Sequence, residues 1–351
     1  MTSKERVLAA LEYTTPDRLP TRYYPTKEVN LELMEYFQLE TLEELHRLFG
    51  DDFAEVYPNY VGPKLERFED GSWEGLWQER YISKSFGAGA YDEAVFLPYA
   101  DVEEVGELEK FRFPSPDWYD YSNIAAACEA SKDYAVIAMA SNSPDFINGI
   151  ARCRGVEQVL MDIATEDPVY LALVEQRFEF YFEVYKRTLE AGGGKIDIVS
   201  YGDDFGTQNG LLISPQSFRT LFADKLKAFF DLAHQYGAKA MMHSCGSVRE
   251  LIPDFIDLGL DILEVVQVDA AKMELEELHR EFYGKIVLCG SISVQSTLPF
   301  GTPEDIARAV ELRKNLYRNG GMIVAPTHHL QVGTPIGNIV ALYQSVGGYV
   351  G

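Results

Sequence analysis

The sequence predicts an α/β fold in which eight parallel strands alternate with helices and close into a (β/α)8, TIM-type barrel. Short apolar runs, typical of strands that are buried on both faces, recur eight times along the chain. Helical patterns separate the last six of these runs, which favours right-handed strand–helix–strand units. With 351 residues, of which 46% are hydrophobic, the chain is long enough to fill the core of such a barrel.

The eight predicted strands differ in how clearly the sequence marks them. Two near the N-terminus are weakly marked, Leu19–Tyr23 and Phe53–Tyr57. The other six are short apolar runs between turn residues: Tyr134–Ala140, Ile196–Tyr201, Lys239–His243, Asp261–Val265, Lys285–Cys289 and Met322–Ala325.

Helical periodicity is clearest after the fourth strand. There Ser214 is a good N-cap, Pro215 suits the first helical position, and Gly237 ends the helix. Other segments with apolar residues at helical spacing are Lys4–Tyr13, Val156–Ala164, Pro168–Ala191, Val248–Leu258, Met273–Phe282, Pro303–Tyr317 and Pro335–Val346.

One region breaks the alternation of strands and helices. Residues 66–98 are rich in glycine and aromatic residues, which predicts an inserted hairpin or lid near the N-terminus. No linker of low complexity divides the chain, so we expect residues 1–351 to form a single domain.

Composition excludes several classes of partner. Lys and Arg number 31 against 55 Asp and Glu, and the net charge of −24 repels nucleic acid and anionic membrane surfaces. No apolar stretch has the length of a membrane span or a signal peptide, and four cysteines are too few for a disulfide framework. We therefore expect a cytoplasmic protein that binds a small molecule.

The carboxyl ends of the predicted strands carry the residues that are candidates for chemistry, because barrels of this kind place their active sites there. His243 and Cys245 are separated by one residue where a strand opens into a loop, and imidazole and thiolate are preferred ligands of Zn²⁺. Further ligands must come from neighbouring strand ends. The candidates are Cys289 and His328, His329 as an alternate to His328, and a carboxylate of Asp203, Asp204 or Glu264.

The adjacent residues Asp203 and Asp204 have two interpretations. They form either a solvated turn that caps the next segment, or a pair of which one points into the barrel mouth as a metal ligand or general acid/base. Gly202 and Gly206 favour the second interpretation because they let the backbone turn sharply. Asp203, Asp204 and Glu264 are accordingly the predicted catalytic residues. The residues predicted to orient the substrate are Tyr201, Gln208, Gln267 and His329. The first three could equally be spacers that only form hydrogen bonds within the protein.

Several segments together resemble the uroporphyrinogen decarboxylase superfamily. The resemblance covers essentially the whole chain and implies a (β/α)8 barrel. The segments are Thr2–Leu11 with Pro16–Pro20, Gly202–Gln208, His243–Gly246, Leu298–Glu304 and Ala325–His328.

The resemblance is greater to the zinc-dependent corrinoid (methylcobamide) methyltransferases of this superfamily than to true uroporphyrinogen decarboxylases. True decarboxylases hold eight carboxylates with an arginine-bearing segment, whereas the corresponding Thr21–Thr26 contains only Arg22. His243 and Cys245 match the His-x-Cys zinc motif of the methyltransferases, and His328 stands where they have a later cysteine.

This resemblance implies a zinc-dependent methyltransferase that moves a methyl group between a protein-bound corrinoid and a small thiol or methylated substrate. Two other hypotheses are a cofactor-free decarboxylase of a smaller acid and a non-catalytic protein that binds a corrinoid or tetrapyrrole. The outer helices of a barrel are also compatible with a homodimer.

Overall fold

Seven parallel strands form one curled sheet in the computed structural model, which describes residues 1–87, 89–139 and 143–351. Each strand pairs with the next one along the chain. The strands are β1 (Phe53–Val56), β2 (Ala135–Ala138), β3 (Ile198–Gly202), β4 (Lys239–His243), β5 (Ile262–Val266), β6 (Val287–Ile292) and β7 (Met322–Pro326).

The segment predicted as the first strand, Leu19–Tyr23, closes the ring between β7 and β1. The Val324 N–H donates to the Pro20 carbonyl at 2.8 Å, and the Arg22 N–H donates to the Val324 carbonyl at 3.1 Å. On the other side, the Asp52 N–H donates to the Thr21 carbonyl at 3.0 Å. The segment forms only an isolated bridge because Pro20 has no N–H to extend a ladder. The prediction of a (β/α)8 barrel is confirmed, with this bridge in the place of one strand.

The two ends of the barrel differ. At the amino ends of the strands, helix Ser3–Leu11 covers the barrel and packs Val7 and Leu11 against its interior. We call the end of the barrel at the amino ends of the strands the closed end. The end at the carboxyl ends of the strands is called the open end. The interior between them is filled by buried side chains from the strands: Phe53, Ala135, Ile137, Ile198, Met241, Ile262, Val287, Cys289, Ile323 and Ala325.

Helices surround the sheet close to where the sequence predicts them. The Ser214 side chain caps a helix as expected, accepting from the Ser217 N–H at 3.0 Å, but this helix is interrupted at Phe222. No helix in the described ranges is long and apolar enough to cross a membrane. The α-helices are Ser3–Leu11, Lys27–Phe37, Leu42–Leu48, Ile124–Ala130, Asn148–Arg154, Val156–Thr165, Pro168–Gly192, Pro215–Leu221, Ala223–Gln235, Ile252–Leu258, Leu275–Phe282, Thr297–Phe300, Pro303–Leu316 and Ile336–Val346.

An antiparallel sheet occupies the region 66–98. Its strands are Trp73–Glu74, Arg80–Ser85 and Ala90–Phe96, and the last packs against helix Asn148–Arg154. Ala88 and Ala140, which fall in the predicted insertion and the predicted third strand, lie outside the described residues. The role of the hairpin as a lid, and the single domain 1–351, stay predictions.

Candidate metal centre

Three side chains with different donor atoms meet at the open end of the barrel. Ligand atoms of Asp204, His243 and Cys245 all lie within 4.8 Å of one another. His243 is the last residue of β4, and Asp204 follows the end of β3 by two residues. His243 is buried, whereas the other two are partly exposed, so the cluster faces the barrel mouth.

Both ring nitrogens of His243 are buried and have no hydrogen-bond partner among the described residues. The distance from Nε2 to Asp204 Oδ1 is 3.6 Å, which is longer than a hydrogen bond. A buried polar group without a partner costs about 1–3 kcal/mol, so such groups in native structures call for an explanation. A metal ion bound by His243 Nε2 would explain why this nitrogen has no hydrogen-bond partner among the described residues.

Two glycines let the loops after β3 and β4 approach each other. A Cβ on Gly206 would lie 2.5 Å from the Cys245 carbonyl oxygen. Gly246 has a φ of +80°, and its Cβ would lie 2.7 Å from the Gly206 carbonyl carbon. The backbones of the two loops are therefore in direct contact, which brings Asp204 and Cys245 to one point. Gly206 is needed for this close approach rather than for a sharp turn.

The adjacent acids have separate tasks. The Asp203 carboxylate is buried and accepts from the backbone N–H groups of Phe146 at 2.8 Å and Ile147 at 3.2 Å. The Asp204 carboxylate instead accepts from the Cys245 N–H at 3.1 Å and from the Asn148 side-chain amide at 3.0 Å. Only Asp204 points into the cluster. Asp203 is buried and binds N–H groups that lie far earlier in the chain, so the interpretation as a solvated turn that caps the next segment does not describe it.

Burial and neighbouring charges favour the neutral forms of the Cys245 thiol and of the His328 and His329 imidazoles. Burial, and then the Asp204 carboxylate, raise the pKa of the Cys245 thiol to about 12. Burial, and then His243, lower the pKa of His328, and the His328 ring lies with its centroid 5.7 Å from that of His243. Burial likewise lowers the pKa of His329 to about 3. Neutral imidazoles keep a lone pair that can bind a metal.

Glu264 lies at the barrel mouth but is already paired. It is buried and forms an ion pair with Arg22, whose other terminal nitrogen lies 3.0 Å from Glu55. Arg22 also lies over the ring of Tyr24, which stacks on His329 with centroids 3.8 Å apart. From the sequence, Arg22 was interpreted only as a single arginine that is too little to bind a substrate with eight carboxylates. A lone arginine in an apolar, barrel-closing segment was the signal that it would need a buried carboxylate.

Comparisons with known proteins agree with this fold. The family described as "Uroporphyrinogen decarboxylase (URO-D)" matches residues 100–349. This chain belongs to the uroporphyrinogen decarboxylase family. The family is built on a TIM barrel, as the resemblance implied.

Solved structures are similar to this family member at low sequence identity, and the first of the two named here, with a TM-score above 0.5, shares its fold. A methyltransferase from Methanosarcina mazei is 19% identical, with a TM-score of 0.63, and the match covers 99% of this chain and 98% of that one. A putative vitamin-B12 independent methionine synthase from Listeria monocytogenes is 11% identical, with a TM-score of 0.45, covering 95% and 96%. No curated protein matches the sequence.

The remaining predicted site residues of this family member do not reach the cluster. Alternation along β3 turns Tyr201 toward the helices, where its hydroxyl donates to the Phe229 carbonyl at 2.7 Å, so the structure does not place it against substrate. Gln267 is buried and accepts from the Gly246 N–H at 2.8 Å, while Gln208 is exposed on the loop after β3. Cys289 lies in the barrel interior, outside the group of three ligands.

Proposed function

We propose that this protein is a zinc-dependent methyltransferase that works with a corrinoid protein and a small thiol or methylated substrate. The observation that carries the proposal is that both nitrogens of buried His243 lack a partner among the described residues while lying beside Asp204 and Cys245. One nitrogen, one oxygen and one sulfur donor form a ligand set that suits zinc, and catalytic zinc sites use three protein ligands. His328, whose ring centroid lies 5.7 Å from that of His243, is a candidate for a further ligand.

When bound, zinc lowers the pKa of a thiol substrate or polarises the heteroatom that carries the methyl group. The chain would hold it through Asp204, His243 and Cys245. Because Asp203 is occupied by two backbone N–H groups and Glu264 by Arg22, we assign them support of the site rather than contact with the metal. Cys289 is not carried into this ligand set because it is packed inside the barrel.

Transfer from a methylated corrinoid to a thiol is balanced without an additional oxidant or reductant. The sulfur–carbon bond forms as the cobalt–carbon bond breaks, the bonding electron pair stays on cobalt, and the thiol proton is released.

The state of Arg22 speaks against a decarboxylase that binds its acid through this residue. Its guanidinium is already paired with Glu264 and with Glu55. A carboxylate substrate would have to displace either the more exposed Glu55 or the buried Glu264, and separating the buried pair is costly for both charges.

The function is tested by mixing the purified protein with methylcobalamin and a panel of small thiols, and following the loss of the methylcobalamin spectrum. We expect thiol-dependent demethylation that is lost in His243→Ala. The matched control is His279→Ala, because His279 lies on the outer helix Leu275–Phe282. Equal rates in wild type and His243→Ala would contradict the proposal, provided that circular dichroism shows both proteins to be folded.

A further inference from the structure

The Asp204 carboxylate is held at both of its oxygens. Oδ2 accepts from the side-chain amide of Asn148 at 3.0 Å. Oδ1 accepts from the Cys245 N–H at 3.1 Å and faces His243 Nε2 at 3.6 Å. Both oxygens thus accept from an uncharged donor, and Oδ1 is the one that also faces His243 in the cluster.

Asn148 stands on a platform that is fixed to the end of β3. It is the first residue of helix Asn148–Arg154, and the two backbone N–H groups immediately before it are bound by Asp203. The Asp145 N–H also donates to the Gly202 carbonyl at 3.0 Å. The helix start and the Asp203–Asp204 loop are therefore joined by several contacts, and Asn148 has little freedom to move relative to Asp204.

The surroundings of this helix restrict it further. Gly149 lies against Arg177, since a Cβ at this position would be 2.2 Å from Arg177 Nη2. Arg152 on the next turn pairs with Asp145 at 2.7 Å. These contacts hold the start of the helix in one position, so the amide of Asn148 is presented to Asp204 without further ordering.

We propose that Asn148 is a positioning residue for the metal centre, acting through Asp204, a role that rests on the proposed zinc-dependent function. An amide donor on Oδ2 keeps Oδ1 available and favours binding of the metal through a single oxygen. Because the donor is neutral, it orients the carboxylate without cancelling the negative charge that attracts the cation. Partners of this kind in metal sites typically contribute about 10–100-fold to metal affinity.

The test compares zinc affinity, measured by competition with a chromophoric chelator, in wild type, Asn148→Ala and Asn148→Asp. We expect about 10–100-fold weaker binding in Asn148→Ala and at least as large a loss in Asn148→Asp, where a like charge replaces the donor. The d–d absorption of the Co²⁺-loaded protein should change as well, because the orientation of Asp204 changes. This spectrum would not respond to a general loss of stability.

Gln158→Ala is the matched control. Its amide donates to Asp162 at 2.7 Å, so the variant removes the same type of hydrogen bond away from the cluster, and zinc affinity should stay at the wild-type value. In an Asp204→Asn background, Asn148→Ala should add little further loss, because the two residues act as one unit. If Asn148→Ala folds poorly, the nearly isosteric Asn148→Asp carries the test.

Wild-type zinc affinity and an unchanged Co²⁺ spectrum in both Asn148 variants would overturn this proposal and leave the proposed function intact. A wild-type protein that binds no zinc would instead overturn both. The two failures are thereby distinguishable.

Discussion

The closed and open ends of this barrel treat their charged and polar groups in opposite ways. At the closed end, buried Asp52 accepts from Arg6 at 2.6 Å, from Arg18 at 2.7 Å and from the Thr21 N–H at 2.8 Å. At the open end, both nitrogens of buried His243 have no partner within the described ranges. The closed end uses its polar groups to hold the barrel together, whereas the open end leaves donor atoms available for a ligand.

The difference lies in pairing and not in the amount of charge. The open end also contains a buried ion pair, Arg22 with Glu264, whose partners satisfy each other as those of Asp52 do. What distinguishes the candidate site is that Asp204, His243 and Cys245 converge while His243 has no hydrogen-bond partner in the part of the chain that the structure describes. Substitutions at the closed end should therefore cost stability, and substitutions in the cluster should cost metal binding.

The largest effect on stability is expected at Asp52. Asp52→Ala leaves Arg6 and Arg18 without their buried carboxylate and should reduce the free energy of unfolding by about 3–5 kcal/mol. Urea denaturation measures the loss. Zinc affinity of the folded fraction should not change. A loss below about 1 kcal/mol would show that the closed end does not depend on this network.

A smaller loss is expected where the two site loops touch. Gly246→Ala places a Cβ 2.7 Å from the Gly206 backbone at a φ of +80°, and should lower the free energy of unfolding by about 1–3 kcal/mol and weaken zinc binding. Gly237→Ala is the control, since its φ is +78° but no atom lies within 4 Å of the added Cβ. Equal behaviour of the two variants, in unfolding and in chelator competition, would mean that loop contact does not shape the site.

The smallest effect is expected from the ion pair of Arg6 with the partly exposed Asp17 at the closed end. Hydrogen bonds from Arg6 hold the pKa of Asp17 well below its usual range. A carboxyl group whose pKa is lowered on folding stabilises the folded state at pH values above its unfolded pKa of about 3.9. This contribution is lost as the pH falls from that value through the folded-state pKa. Asp17→Asn should cost up to about 1 kcal/mol at pH 7, because the side chain is partly exposed.

The pH dependence of the unfolding free energy distinguishes loss of the Arg6–Asp17 ion pair from a change in packing. The difference in unfolding free energy between wild type and Asp17→Asn should shrink as thermal melts are repeated from pH 7 down to pH 2. A difference that is constant over this range would contradict the assignment to the ion pair.

Local sequence signals account for most of the fold. The apolar runs place β4 at the predicted Lys239–His243, and Ser214 caps the helix that it was expected to cap. Helix Asn148–Arg154 was not predicted because no side chain near it in sequence caps it. Its backbone N–H groups are satisfied by Asp203, more than fifty residues away, which no local pattern reveals.

The candidate site could be predicted only in part, because some of its contacts are local in sequence and others are not. His243 and Cys245 are neighbours in sequence, so strand geometry alone brings them together. The separate tasks of Asp203 and Asp204 depend on contacts with residues 146–148, where Asp203 binds backbone N–H groups and Asp204 binds the Asn148 side chain. The pairing of Glu264 with Arg22 joins residues 242 positions apart. Both depend on tertiary contacts, as does the position of Cys289 inside the barrel.

The most direct test of the account is the zinc content per chain, measured by elemental analysis on protein purified without chelators or a histidine tag. We predict about one zinc per chain in wild type, near zero in Cys245→Ala and His243→Ala, and the wild-type value in Cys128→Ala, whose cysteine lies on the buried face of helix Ile124–Ala130. Folded wild-type protein without zinc, or zinc retained in both site variants, would contradict the assignment of a metal centre to the open end.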